Sequence, residues 1–252
     1  MVRLSVNVNK VATIRNSRGG SVPSVVEAAR VAAQAGAQGI TVHPRADRRH
    51  VTPEDVRELR SEFRDRWSPS FEFNVEGDPR PDWIDLVCDV GPEQATLVPV
   101  TPGEVTSHAG FAPGKDRDQL AASIERIHRA GARVSLFVDP LPDAVRWARD
   151  VGADRVELYT EPYARAHERG AAEAKRSFAT YAAAAELAHG LGLGVNAGHD
   201  LDLANLPSFK ALPHLDEVSI GHAIVSRAIF VGLATVVREY LAVLGTNAAR
   251  TP

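Results

Sequence analysis

The sequence predicts an α/β fold, a closed parallel (β/α)8 barrel of the TIM type, on three observations. Apolar, β-branched runs alternate with helical patterns eight times, with no linker between them. Small-residue turns recur where helix gives way to strand: Ala35-Gly36-Ala37, Ala130-Gly131-Ala132 and Val151-Gly152-Ala153. Eight such units in 252 residues match the size of one barrel. An open doubly wound sheet is the competing arrangement, and the lack of Gly-x-Gly-x-x-Gly after the first strand weighs against it. The chain therefore reads as one domain over residues 1–252, with residues 245–252 lacking a core pattern and expected to fray.

Residues 4–8 form the first predicted strand, and Arg15-Asn16-Ser17-Arg18-Gly19-Gly20 a basic, glycine-bearing loop. A helix over 22–35 follows, with Gly36 suited to the left-handed position beyond its end. Strand two is 39–43. Thr52-Pro53-Glu54-Asp55 starts the next helix, to about residue 64: a Thr N-cap, Pro at the first helical position, then acids in the first turn. Strand three (70–75), a short helix (83–90) and strand four (94–100) lead into a long loop over 101–114. A helix over 116–130, strand five (133–139), a helix over 142–150 and strand six (155–160) come next. An alanine-rich helical region covers 163–190, strand seven 194–198, a short helix 203–212, strand eight 217–221 and the last helix 226–244.

Composition sets limits. With 44% hydrophobic and 24% charged residues the chain is an ordinary globular protein, and a net charge of −3 gives no argument for nucleic-acid binding. The single cysteine, Cys88, excludes a disulfide framework and a cysteine-based zinc site, and reads as a small buried residue. No stretch is apolar enough to span a bilayer, and Met1-Val2-Arg3-Leu4 runs straight into a strand without a signal-peptide pattern, so a cytoplasmic location is the expectation.

In a barrel of this kind the chemistry lies at the C-terminal ends of the strands. The residues there are Asn7, Asn9, Lys10, Arg15 and Arg18; His43, Arg45 and His50; Glu72, Asn74 and Glu76; Glu104, Thr106 and His108; Glu157; Asn196, His199 and Asp200; and Gly221 with His222. Each histidine alone reads as a satisfied or exposed side chain. His43, His199 and His222 on strands that converge at one mouth read as a site. Glu72 and Glu157 sit inside apolar strands, where a carboxylate must be paired or raised in pKa. Anion binding has two candidates. One is the loop with Arg15 and Arg18. The other is Ile220-Gly221-His222-Ala223, where glycine lets backbone N–H groups approach a phosphate ahead of a helix start. Arg48 and Arg49 read as solvent or helix-end contacts, with Arg45 nearer the strand end.

Several segments carry a family resemblance: Val6-Asn7-Val8, Ala12-Thr13-Ile14-Arg15-Asn16-Ser17-Arg18-Gly19, Gly39-Ile40-Thr41-Val42-His43, Asp47-Arg48-Arg49-His50, Val134-Ser135-Leu136-Phe137, Val195-Asn196-Ala197-Gly198-His199 and Ile220-Gly221-His222-Ala223-Ile224. In order and spacing the chain resembles the pyridoxine 5′-phosphate synthase family from about residue 4 to 244. The resemblance implies a TIM barrel with additional helices, cytoplasmic, assembling as a homo-octamer (a tetramer of dimers) and using neither metal nor organic cofactor. It implies ring closure between two phosphorylated small molecules, 3-amino-2-oxopropyl phosphate and 1-deoxy-D-xylulose 5-phosphate, giving pyridoxine 5′-phosphate, phosphate and water. By the same matching His43 and Glu72 are the bases, His199 the proton donor and Glu157 the transition-state stabiliser. Asn7 and Gly221-His222 bind the amino ketone phosphate, Arg45 and His50 the deoxyxylulose phosphate, and Arg18 and Thr106 line the site. Many members carry Asp-His where this chain has Asn9-Lys10, and Gly where it has Asp200; these three positions are carried over as substrate contacts.

Two other readings fit the residues. A metal-dependent barrel aldolase or hydrolase would use His43, His199 and His222 as ligands, although the flanking arginines favour an anionic substrate. A non-catalytic sugar-phosphate sensor would leave Glu72 and His199 without a role. Length and glycine content (Gly103, Gly110, Gly114) suggest that loop 101–114 acts as a lid. Period-two alternation puts Glu72, Asn74 and Glu76 on one face of strand three. The flanking phenylalanines favour Glu72 as the dry base, with Glu76 expected at a partly solvated rim.

Overall fold

Eight short strands, each apolar on one face and polar on the other, determine the architecture. The computed structural model describes residues 1–63, 67, 70–99, 109–114 and 116–245. Its strands are β1 (Arg3–Asn7), β2 (Gly39–Val42), β3 (Glu72–Gly77), β4 (Gln94–Leu97), β5 (Arg133–Val138), β6 (Arg155–Tyr159), β7 (Gly194–Gly198) and β8 (Leu215–Ile220). Each pairs in parallel with the next, and β8 pairs with β1, so the sheet closes with no free edge. The helices are α1 (Asn9–Asn16), α2 (Val25–Gln34), α3 (Pro53–Phe63), α4 (Pro81–Val90), α5 (Arg117–Arg129), α6 (Pro142–Asp150), α7 (Glu161–Glu168), α8 (Ala171–Gly190), α9 (Leu206–Phe209), α10 (His222–Val231) and α11 (Leu233–Leu244).

The outward strand face is apolar and fully buried beneath the helices: Leu4, Val6, Ile40, Val42, Phe73, Val75, Leu97, Leu136, Leu158 and Val195 are among its members. Burying each such side chain contributes about 1.5–3 kcal/mol. The inward face is polar. Ser5 Oγ and Thr41 Oγ1 lie 2.7 Å apart, Asn74 donates to Thr41 at 3.3 Å, and Thr96 donates to Asn74 at 2.9 Å, forming a hydrogen-bonded belt across β1 to β4. Below the belt, at the N-terminal end of the barrel, Glu72 pairs with Arg3 and Arg133, and Arg3 reaches Glu217 at 3.8 Å.

Four expectations change. The segment after β1 is helix α1 rather than a loop beginning at Arg15; it lacks a side-chain N-cap and buries only Val11 and Ala12, so neither capping nor periodicity marks it in the sequence. The alanine-rich region is two helices separated by Gly170 at φ +120°, and the last helical region is likewise two, separated by Gly232 at φ +85°. Cys88 is only half-buried, its sulfur 4.0 Å from the Arg126 carbonyl. Thr106, Glu104, His108, most of the 101–114 loop and nearly all of the tail lie outside the described residues.

Candidate active site

A cavity of about 440 Å³ opens at the C-terminal ends of the strands. Its lining includes Asn7, Asn9, Lys10, His43, Arg45, His50, His199, Asp200, Gly221 and His222, ten of the fourteen residues expected from sequence, together with Thr13, Arg49 and Glu76. One side is cationic, with Lys10, Arg45 and Arg49 around His50. Another part of the lining is the start of α10, where Gly221 and His222 present a helix N-terminus. Gly221 has φ −124°, so conformational freedom is not why glycine stands there. A Cβ at this position would lie 3.0 Å from the Asn7 carbonyl oxygen and the Asn7 Cβ; the glycine lets β8 and β1 converge under the cavity.

Side chains of β1 and α1 fix the neighbouring strand end. Asn9 Oδ1 accepts from the His43 backbone N–H at 2.9 Å, and Asn7 Oδ1 accepts from the Asn9 N–H at 3.0 Å. Arg15 reaches from α1 to Asp55, where both guanidinium nitrogens engage the carboxylate, and also donates to the His50 carbonyl at 3.4 Å. Asn16 donates to the same carbonyl at 2.9 Å. Arg15, one of the two expected anion-binding arginines, is therefore already paired and instead anchors the loop that bears His50.

Two histidine–carboxylate pairs occupy the centre. His43 Nδ1 lies 3.7 Å from Glu76 Oε2, and Asn7 Nδ2 lies 3.5 Å from the same oxygen. Burial, reinforced by the charges of His50 and Arg45, holds the His43 imidazole well below the usual histidine range, while burial pushes Glu76 up to about 8. At neutral pH the proton of this pair therefore rests on the carboxyl. The second pair is His199 Nδ1 and Glu157 Oε1, 3.9 Å apart. Glu157 is driven well above the carboxylate range by burial and by the charge of Glu76. Gly198 makes room for it, since a Cβ there would fall 2.3 Å from Glu157 Oε1. The His199 ring packs against Phe137 (centroids 4.7 Å apart) and Tyr159 (5.9 Å). Burial lowers its pKa and the Asp200 carboxylate opposes that shift. His50 is depressed to about 4 by burial and by Arg45 and Lys10, so it is neutral at pH 7.

Four expected residues are not part of this lining. Glu72 is at the opposite end of the barrel, in the ion pairs with Arg3 and Arg133, and is corrected from candidate base to structural anion. Both glutamates face inward as the alternation requires, but Glu76 stands four residues nearer the C-terminal mouth, and it is only 3% exposed rather than solvated at a rim. Arg18 is exposed beyond the end of α1 and does not line the cavity. Thr106 lies outside the described residues, and Glu157 sits beneath His199 rather than on the lining. Among the described residues no three His, Cys, Asp or Glu side chains come together in a way that could hold a metal ion.

Known proteins resemble this chain at two levels. Solved structures of low identity share the fold: 3-hexulose-6-phosphate synthase from Salmonella typhimurium (TM-score 0.64, 15% identity, 98% of this chain and 100% of that one) and thiamine phosphate pyrophosphorylase from Pyrococcus furiosus (0.62, 14%, 97% and 96%). Much nearer in sequence are proteins named pyridoxine 5′-phosphate synthase. That of Porphyromonas gingivalis is 48% identical over 95% of this chain and 98% of its own, and that of Bacteroides fragilis is 49% identical over the same shares. The model of the family described as pyridoxal phosphate biosynthesis protein PdxJ matches residues 4–246, and the chain belongs to that family.

Proposed function

We propose that this protein is a pyridoxine 5′-phosphate synthase, condensing 3-amino-2-oxopropyl phosphate with 1-deoxy-D-xylulose 5-phosphate. The observation that carries the reading is one cavity whose lining joins Lys10, Arg45 and the start of α10 to His43, Glu76 and His199, with Glu157 paired to His199. Lys10, Arg45 and Arg49 supply charge for the deoxyxylulose phosphate, and the α10 start with Asn7 receives the amino ketone phosphate. The reaction requires an imine between amine and ketone, proton shifts, phosphate loss and an aldol-type closure. Neutral His43 accepts a proton and the protonated Glu76 returns one, so the pair exchanges protons without bulk water. His199 donates to a departing oxygen. The proton that His199 gives up is replaced at Nδ1 from the Glu157 carboxyl, and the carboxylate so formed stabilises a cation beside it.

We assign the catalytic carboxyl, protonated at rest and exchanging protons with His43, to Glu76, with Asp200 at the cavity edge and Arg18 and Thr106 as further candidates for substrate contact. A cytoplasmic location and a homo-octameric assembly belong to the same proposal. No helix of the described residues is long and apolar enough to cross a membrane. Mixing both substrates with the pure protein is the test: a pyridine absorbance and phosphate release in equal amounts support the reading. Tight binding of both substrates without turnover would instead favour a sensor. Activity abolished by chelation and restored by a divalent metal would favour the metal-dependent alternative.

A further inference from the structure

The turn that carries His199 is held from behind by residues that line no part of the cavity. His199 and Asp200 lie at φ +76° and +55°, two consecutive non-glycine residues in the left-handed region. Each costs about 1–2 kcal/mol and persists only where the surroundings impose it. Two buried side chains are placed to do so. Thr160, at the junction of β6 and α7, donates its hydroxyl to the Gly198 carbonyl at 2.6 Å, and that hydroxyl also lies against the His199 carbonyl. Asn205 donates its amide to the Asp200 carbonyl at 3.0 Å while its Oδ1 accepts from the Asp202 N–H at 3.0 Å. Tyr163, on the additional helix α7, donates in turn to the Asn205 carbonyl at 3.2 Å.

We propose that Thr160 and Asn205 are positioning residues: they clamp the three carbonyls of Gly198, His199 and Asp200, and so aim the His199 imidazole between Phe137 and Tyr159 with Nδ1 toward Glu157. The proposal rests on the reading of His199 as an acid–base group. It also gives α7 a role, as a prop under the turn through Tyr163. Without the clamps the turn relaxes toward negative φ, and the ring swings away from the reacting atoms.

Thr160→Val keeps the shape and removes the hydroxyl, whereas Thr160→Ser keeps the hydroxyl. In the full chain T160V is expected to lower kcat by about 10–100-fold, the scale of a displacement of about 1 Å. KM for both phosphorylated substrates should stay within about threefold, and T160S should recover most of kcat. Independently of any substrate, the His199 imidazole signal is identified by its loss in His199→Gln. In T160V it should titrate nearer to free histidine, because the ring leaves its buried setting. If the wild-type protein turns over neither substrate, the functional reading fails and this titration still tests the clamp. Asn205→Ala repeats the experiment should T160V not fold. Wild-type kcat and an unmoved His199 signal in a folded T160V would overturn the proposal. So would a T160S as slow as T160V, or loss of folding in both T160V and N205A, which would make the pair a stability element only.

Discussion

Glu76 and Glu72 lie on one strand face four residues apart, and their surroundings give them different chemistry. Glu76 has His43 and Asn7 as neighbours and a carboxyl pushed up to about 8 by burial; Glu72 has Arg3 and Arg133. Glu76→Gln is expected to lower kcat by about a hundredfold or more. The fall in rate above about pH 8, where Glu76 loses its proton, should vanish in that variant. Glu72→Gln should leave kcat within about threefold and cost about 1–3 kcal/mol of stability through weakened charged hydrogen bonds, read as a lowered Tm. The opposite ranking would return the catalytic carboxyl to Glu72. The sequence carries part of this answer: alternation places both glutamates inward, but pairing partners on β1 and β5 are 61–69 residues distant and invisible to a local pattern. Asp200 offers a second test at this scale. Its carboxylate raises the His199 pKa against burial, so Asp200→Gly should shift the limb where His199 loses its proton to lower pH. Glycine accepts φ +55° without strain, and the variant should fold normally. An unshifted limb would separate Asp200 from the titration of His199.

The start of α3 is the element most fully legible in the sequence. Thr52-Pro53-Glu54-Asp55 reads as an N-terminus, and Asp55 N–H donates to Thr52 Oγ1 at 3.3 Å while Thr52 N–H donates back to Asp55 Oδ2 at 2.8 Å. What the pattern does not reveal is that the same carboxylate receives Arg15 from α1, joining two elements that hold the His50 carbonyl between them. Helix α1 itself is missed for lack of a capping side chain, so the clasp is missed with it. Asp55→Asn should therefore raise KM for the deoxyxylulose phosphate several-fold, with kcat changed less, because the loop bearing Arg45, Arg49 and His50 loses its anchor. Burial opposes ionisation of Asp55, but the Arg15 pair and the Thr52 hydrogen bonds together outweigh it and hold the carboxyl below its ordinary value. A depressed folded pKa means the contribution is present above the unfolded value of about 4 and is lost as pH falls through the folded one. The stability gap between wild type and Asp55→Asn, measured by denaturant unfolding, should accordingly close on acidification. A gap that widens in acid would contradict the pairing.

At the scale of the whole molecule, eightfold strand–helix alternation is legible because it is local, and closure follows from it. Surfaces are less legible, because an apolar residue at helical spacing reads as core whether or not a neighbour covers it. The run Ala228-Ile229-Phe230-Val231 illustrates this. Within one continuous helix it reads as a packed face, but the break at Gly232 leaves Ile229 68% and Phe230 86% exposed, with Val231 also exposed. Large apolar side chains exposed side by side mark contact surfaces more often than solvent-facing ones. The run ends α10, whose first residues line the cavity. With the homo-octamer proposed above, light scattering at micromolar concentration should give a mass eight times that of the chain. Phe230→Glu places a charge in the patch, where an uncompensated charge costs several kcal/mol on burial, and should shift the population to smaller species. Its circular dichroism should match that of wild type, because Phe230 contributes little to the barrel core. A monomeric wild-type protein would refute the assembly, and an octameric Phe230→Glu would move the interface elsewhere on the surface.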